Sequence, residues 1–159
     1  MKFVIAAVGR AKPSPERDLT TEYLDRARAS GGPIGVTGAD LIEVEERKKL
    51  PPAELKRREG ELLLGALPAG AVIVALDERG KSLSSEDFAA FIARLRDDGA
   101  PSLACLIGGA DGHGQEIRNR AALTLSFGKA TWPHMLVRAM LAEQLYRAVT
   151  ILAGHPYHR

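Results

Sequence analysis

The chain has 159 residues, 45% hydrophobic and 26% charged, with a formal net charge of +2. That length suits one ordinary domain around one core, and no repeat, low-complexity tract or linker divides residues 1–159. The single cysteine, Cys105, excludes an internal disulfide framework and a multi-thiolate metal site, and its apolar neighbours in SLACLIGG suggest a buried, inert thiol.

The opening MKFVIAAVGR reads as a first strand. Its apolar run reaches Gly9 and Arg10 too soon to span a membrane and lacks a small-residue cleavage site, so a soluble cytoplasmic protein with no membrane partner is expected. SPERDLTTEYLDRARA follows as a helix, with Leu19, Tyr23, Leu24 and Ala27 on one face. After the loop SGGPIGVTG, DLIEVE predicts a short strand, and PPAELKRREGELLLGAL a helix entered through prolines, with Leu55, Leu62 and Leu63 at core spacing. AVIVALD is a third, continuously apolar strand. In SSEDFAAFIARLRDDG, Ser84 is the N-cap, Phe88, Phe91, Ile92 and Leu95 form the apolar stripe, and Gly99 closes the helix. SLACLIG is a fourth strand, followed by a glycine-rich loop, a short helix at Gln115 to Arg120, a strand AALTLSF and a last helix from His134 to Leu152. On that helix Leu136, Met140, Leu145 and Val149 are expected to be buried, and Glu143 to pair with Arg138 or Arg147 across a dimer interface or to stay solvated.

Strands alternating with helices predict an α/β fold with a mostly parallel sheet, whose buried strands carry unbroken apolar runs. Ligands of such sheets sit at the carboxyl ends of the strands, so three loops matter, after Asp77, Ile107 and Phe127. ALDERGKS ends like a phosphate-binding loop, but Ala75 replaces its first glycine and Asp77 and Glu78 would repel phosphate, which excludes a nucleoside triphosphatase. Leu76 there is a turn residue or a main-chain ligand contact. LIGGADGHG lacks the dinucleotide order of glycines, so Gly108 and Gly109 form either a tight turn or a close backbone approach to a flat ligand. SFGKATWPH sets Gly, Lys and Thr between Phe127 and Trp132, a loop able to wrap a ligand or to staple the last helix.

Charge is uneven: residues 1–115 sum to −2 and residues 116–159 to +4, ending in GHPYHR. Lys and Arg at helix ends explain part of this. No carboxylates lie near His134, His155 and His158 in sequence, so no metal is expected.

Together, LDERGKSLSSEDFA, IGGADG, LSFGKATWPHMLVRAMLAEQLYRA and GHPYHR, in this order, resemble the ribosomal large-subunit pseudouridine methyltransferase H family of the α/β-knot (SPOUT) methyltransferases, over essentially the whole chain. The resemblance implies a trefoil-knotted C-terminal half, a homodimer, and S-adenosyl-L-methionine-dependent methylation of N3 of one pseudouridine in large-subunit ribosomal RNA within the ribosome. By matching positions it places the cofactor against Leu76, Gly108, Gly109, Phe127, Gly128, Lys129, Ala130, Thr131 and Trp132. Gly128 stands where many members carry serine, so that contact falls to backbone.

Methyl transfer to an imide nitrogen requires alignment and a way to stabilise or remove the N3 proton. Tyr157, His158 and Arg159 offer a phenol, an imidazole and a fixed charge for that work, with Glu143 nearby on the last helix. Two other readings stay open: a noncatalytic ribosome-associated RNA-binding protein of the same fold, and a knotted methyltransferase acting on transfer RNA.

Overall fold

The apolar runs become the strands of one five-stranded, wholly parallel sheet in a computed structural model that describes residues 1–158. Arg159, one of the expected site residues, lies outside the described residues. In chain order the elements are β1 (Lys2–Val8), α1 (Pro15–Gly31), β2 (Gly38–Val44), α2 (Pro52–Gly65) and β3 (Val72–Lys81). They continue with α3 (Ser85–Asp97), β4 (Ser102–Ile107), α4 (Gln115–Arg120), β5 (Leu123–Leu125) and α5 (His134–Leu152). The strand order is β2-β1-β4-β3-β5. No helix among the described residues is long and apolar enough to cross a membrane.

Strand side chains alternate between two cores because the strand period is two. Phe3, Ile5, Leu103 and Cys105 point to one face, under α1, α3 and α5, where Leu24, Ile92, Leu141 and Leu145 meet them. Val4, Ala6, Ala104 and Leu106 point to the other face, closed by Leu63 of α2 and Ile117 of α4. Each such large apolar side chain contributes about 1.5–3 kcal/mol by leaving water. Cys105 is wholly buried, and burial pushes its thiol pKa up to about 12, which keeps it protonated and inert.

Helix starts follow the sequence signals. Ser14 Oγ accepts the Arg17 N–H at 3.2 Å ahead of Pro15, and Ser84 Oγ accepts the Asp87 N–H at 3.0 Å.

Four sequence expectations are corrected. The third strand does not stop at Asp77: it continues to Lys81, because its far end pairs with β5 after a register shift between Leu76 and Lys81. The fifth strand is correspondingly short, Leu123–Leu125, since Ser126 already turns to bond the Lys81 carbonyl. Leu19, Leu136 and Met140 are not core residues; they line an open groove between α1 and α5, with Leu19 40% exposed. Glu143 bonds Arg147 one turn along its own helix, whereas Arg138 is engaged by Glu43 rather than by Glu143.

Candidate active site

The three loops singled out by sequence converge at the carboxyl edge of β3, β4 and β5, where a cavity of about 310 Å³ opens. That size lies in the range of small-ligand sites, about 300–1,000 Å³. Its floor is apolar, from Leu76, Ile107, Leu125, Phe127 and Val137. Gly108 and Gly109 form one wall, and Gly128, Ala130, Thr131 and Trp132 another. Eight of the nine expected cofactor residues therefore share one cavity; Lys129 is not part of its lining.

Local geometry explains the glycines. A Cβ on Gly108 would lie 2.9 Å from the Gly112 carbonyl carbon and 3.0 Å from its oxygen, so the IGGADG turn closes on itself only without a side chain. Gly128 has φ +100, in the left-handed region that strains any L side chain. Ser126, two residues earlier, holds the loop's backbone and does not line the cavity. Ser126 Oγ accepts the Gly128 N–H at 3.1 Å and lies 3.1 Å from the carbonyls of both Glu78 and Gly128, one of which takes its proton. Trp132 Nε1–H donates to the Phe127 carbonyl at 3.3 Å, tying the loop into a ring rather than stapling α5.

The rim is polar. Asp77, whose side chain is 8% exposed, accepts the Arg79 N–H at 3.0 Å and faces Arg118 Nη2 at 3.0 Å. Burial pushes its pKa up, but the Arg79 amide, Arg118 and the Arg79 side chain outweigh burial and hold it below the usual carboxylate range. Glu78 and Asp111 complete the rim, leaving carboxylates in excess over Arg79 and Arg118. Such a rim favours a cationic ligand.

Behind Gly109 stands Glu59 of α2, its Oε2 2.5 Å from where a Cβ on Gly109 would be. Burial, then the charge of Asp111, raises its pKa. A folded state that holds this proton more tightly is favoured at low pH, and that advantage disappears as pH rises through the folded-state value. Glu59→Gln is therefore expected to raise the melting temperature at pH 7 by about 1–2 °C, as suits a partly screened group. The difference should vanish in melting scans below pH 4, about where unfolded glutamate titrates.

The C-terminal cluster forms a second assembly. Glu143 Oε1 accepts Arg147 Nε at 2.9 Å and the Tyr157 hydroxyl at 3.1 Å. The Arg147 guanidinium lies over the Tyr157 ring at 4.8 Å, and Tyr157 packs on Tyr146 at 4.7 Å. Burial, then hydrogen bonds to Tyr23 and Glu143, raises the Tyr157 pKa, so it stays a phenol and a donor. His158 Nδ1 meets Arg147 Nη1 at 3.2 Å and Nε2 meets Glu86 at 2.7 Å. A guanidinium donates only, so Nδ1 holds the lone pair and Nε2–H donates to Glu86.

Tyr157, His158 and Glu143 are thus brought together, but not into the cavity. Val137 lines the cavity and Glu143 lies six residues further along α5, a rise of about 9 Å. Glu143 lines the adjoining groove of about 610 Å³, which shares Phe127 and Gly128 with the cavity.

Sequence reasoning missed Arg138, 1% exposed, and His113, 3% exposed. His113 Nε2 meets the Leu106 carbonyl at 3.0 Å and pins the glycine turn to β4; burial lowers its pKa. A histidine inside a glycine-rich turn was the available signal. Arg138 Nη1 bonds Glu43 at 2.6 Å, and Nη2 bonds the Val8 and Gly9 carbonyls at 2.9 and 2.8 Å. Nothing local in the sequence links residues so far apart.

Parallel strands, a glycine-built cradle at their carboxyl ends and a carboxylate-rich rim define an α/β protein with a cavity of small-ligand size at its sheet edge. Residues 1–158 match the family described as predicted SPOUT methyltransferase, and the chain belongs to the SPOUT methyltransferases. It is similar to the ribosomal RNA large subunit methyltransferase H proteins of Xanthobacter autotrophicus, Paramagnetospirillum magneticum and Rhodospirillum centenum. Each is 56% identical over 159 residues, covering 100% of this chain and 99% of the relative. Among solved structures, the SpoU methyltransferase AviRb from Streptomyces viridochromogenes, in complex with AdoMet, is 16% identical with a TM-score of 0.41. That match covers 97% of this chain and 61% of that one.

Proposed function

We propose that this chain is an S-adenosyl-L-methionine-dependent methyltransferase acting on N3 of a pseudouridine in large-subunit ribosomal RNA within the ribosome, as a homodimer with a trefoil-knotted C-terminal half. The observation that carries the reading is the convergence of the three loops on one cavity in a chain matching its named relatives end to end. The residues present fit the cofactor. Gly108 and Gly109 present main chain in one wall, Leu76, Ile107 and Phe127 accept its apolar parts, and the carboxylate rim complements a sulfonium. When bound, S-adenosyl-L-methionine supplies an electrophilic methyl group, and N3 must give up its proton as its bond to carbon forms.

The tail is assigned to that second requirement. Tyr157 stays protonated and acts as a hydrogen-bond donor to an oxygen or developing anion, while His158, held between Arg147 and Glu86, orients the base or relays its proton. Glu143 orients both by holding Arg147 and the Tyr157 hydroxyl, and Arg159 supplies fixed positive charge for a phosphate or base oxygen. Within one chain the tail is separated from the cavity by the α1/α5 groove, with Leu19, Tyr23, Leu136 and Met140 along it. A second copy seated in this groove carries its own tail toward the first copy's cavity, which gives the homodimer a catalytic reason.

The test is transfer of labelled methyl from S-adenosyl-L-methionine to isolated large-subunit particles and to transfer RNA, with mapping of the modified nucleotide. Label at N3 of a pseudouridine in the large-subunit RNA is expected; label in transfer RNA, or cofactor-free RNA binding alone, would overturn the reading. A chain truncated before Tyr157 is expected to bind cofactor within about two-fold of the parent and to transfer methyl about 10²-fold more slowly, as loss of proton transfer and orientation together requires. Single-turnover rates beside cofactor titration would measure it.

A further inference from the structure

Of the six cations in residues 116–159, Lys129 is exposed, Arg159 lies outside the described residues, and the other four are held by carboxylates. Arg118 faces Asp77, Arg120 faces Glu116, Arg138 is buried on Glu43, and Arg147 bonds Glu143. Exposed positive charge collects instead at the other half of the sheet's carboxyl edge. Arg10 and Lys12 follow β1, and Arg47, Lys48 and Lys49 follow β2; all five are exposed. The loops start side by side, because Val8 pairs with Val44 and the Gly9 N–H donates to the Val44 carbonyl at 2.8 Å. The Ala11 N–H then donates to Glu43 Oε1 at 2.8 Å, folding the first loop over the end of β2.

Their anions do not neutralise them. Arg10 and Arg47 approach the same Glu45 oxygen at 3.8 and 3.9 Å, so two guanidiniums share one carboxylate. Glu46 is bonded by Arg58 of α2 at 3.0 Å, so its charge is taken up outside the two loops. Lys12, Lys48 and Lys49 extend from it into solvent. This basic half adjoins the cavity: β1 lies between β2 and β4, and Ala7 pairs with Ile107. The basic half therefore begins one strand spacing, about 4.8 Å, from the end of β4, where the chain enters the glycine cradle.

We propose that the loops of residues 9–13 and 45–49 hold the phosphate backbone of the RNA substrate, so that the target nucleotide reaches the cavity across the end of β1. This rests on the reading that the substrate is RNA. Long, solvated lysines beside under-neutralised arginines suit phosphates, which bind by charge and counterion release without base specificity. The cavity's rim, where Asp77, Glu78 and Asp111 outnumber Arg79 and Arg118, disfavours the phosphate backbone there.

The test combines Lys12→Ala, Lys48→Ala and Lys49→Ala in the full chain, measured by steady-state methyl transfer to large-subunit particles, cofactor titration, and binding to protein-free large-subunit RNA across a salt series. The expected result is a KM for particles raised about ten-fold, and a log affinity against log salt slope shallower by about two units for three lost phosphate contacts. Turnover at saturation and cofactor affinity are expected within about two-fold of the parent, since no lysine touches the cavity. An unchanged KM and salt slope in the variant, with the parent active, would overturn this surface and leave the proposed function standing. Loss of particle binding with unchanged binding to protein-free RNA would place an acidic protein there instead and also overturn it. A parent that binds cofactor yet neither binds RNA nor methylates it would overturn the proposed function, and this surface with it.

Discussion

Arg138→Ala is expected to lower the unfolding free energy by about 3–5 kcal/mol, read from chemical denaturation at constant m-value. The side chain is 1% exposed, and burial lowers its pKa, so water offers its charge little. It persists because three acceptors from two strand ends converge on it: Glu43, the Val8 carbonyl and the Gly9 carbonyl. Removing the guanidinium leaves the Glu43 charge and both carbonyls without that partner. A buried ion pair is often replaceable by apolar residues on both sides with little loss. Here that rescue is expected to fail. In a double Arg138→Met, Glu43→Met variant the two carbonyls and the Ala11 N–H all lose bonds, so the double variant should be no more stable than the single one.

The second large effect is expected at Gly108. Gly108→Ala should reduce methyl transfer by about 10²-fold, because a side chain there forces the Gly112 backbone aside and displaces the cradle by a fraction of an ångström to an ångström. Main chain cannot swing away as a side-chain end can. Stability should fall by only about 1–3 kcal/mol, the usual range for overpacking a tight contact. Comparing cofactor affinity with melting temperature in the same variant separates the two, and a variant that melts like the parent yet binds cofactor normally would contradict the cradle assignment.

Residues with local consequences were legible in the sequence. Apolar runs such as SLACLIG read as parallel strands because those strands are buried on both faces, and Ser84 read as an N-cap because capping needs only a hydroxyl three residues from an amide. The loops at Gly108 and Phe127 were legible for the same reason, as breaks placed where a parallel sheet leaves its crevice. What escaped was set by distant partners. β3 runs on to Lys81 because β5 comes back to pair with it, although DERGK itself carries no strand pattern. Arg138 read as a candidate partner of Glu143 on its own helix, since the groups it bonds are more than ninety residues away. The C-terminal +4 likewise overstates the free charge there, because Asp77 and Glu43, which absorb part of it, belong to earlier strands. Charge is summed along a chain, whereas it is neutralised in space.

The strand order has a consequence for how the protein is made. β1 is synthesised well before its neighbour β4, which arrives about 100 residues later, as the pairing of Ala7 with Ile107 requires. At translation rates of about 5–20 residues per second, the nascent apolar segment FVIAAV waits on the order of 5–20 s with one edge open. Such non-local closure makes folding slow, and a flat, uncharged strand left unpaired is a template for aggregation. Refolding yield should therefore fall steeply with protein concentration, and a chaperone that shields the newborn strand has its task defined by this topology.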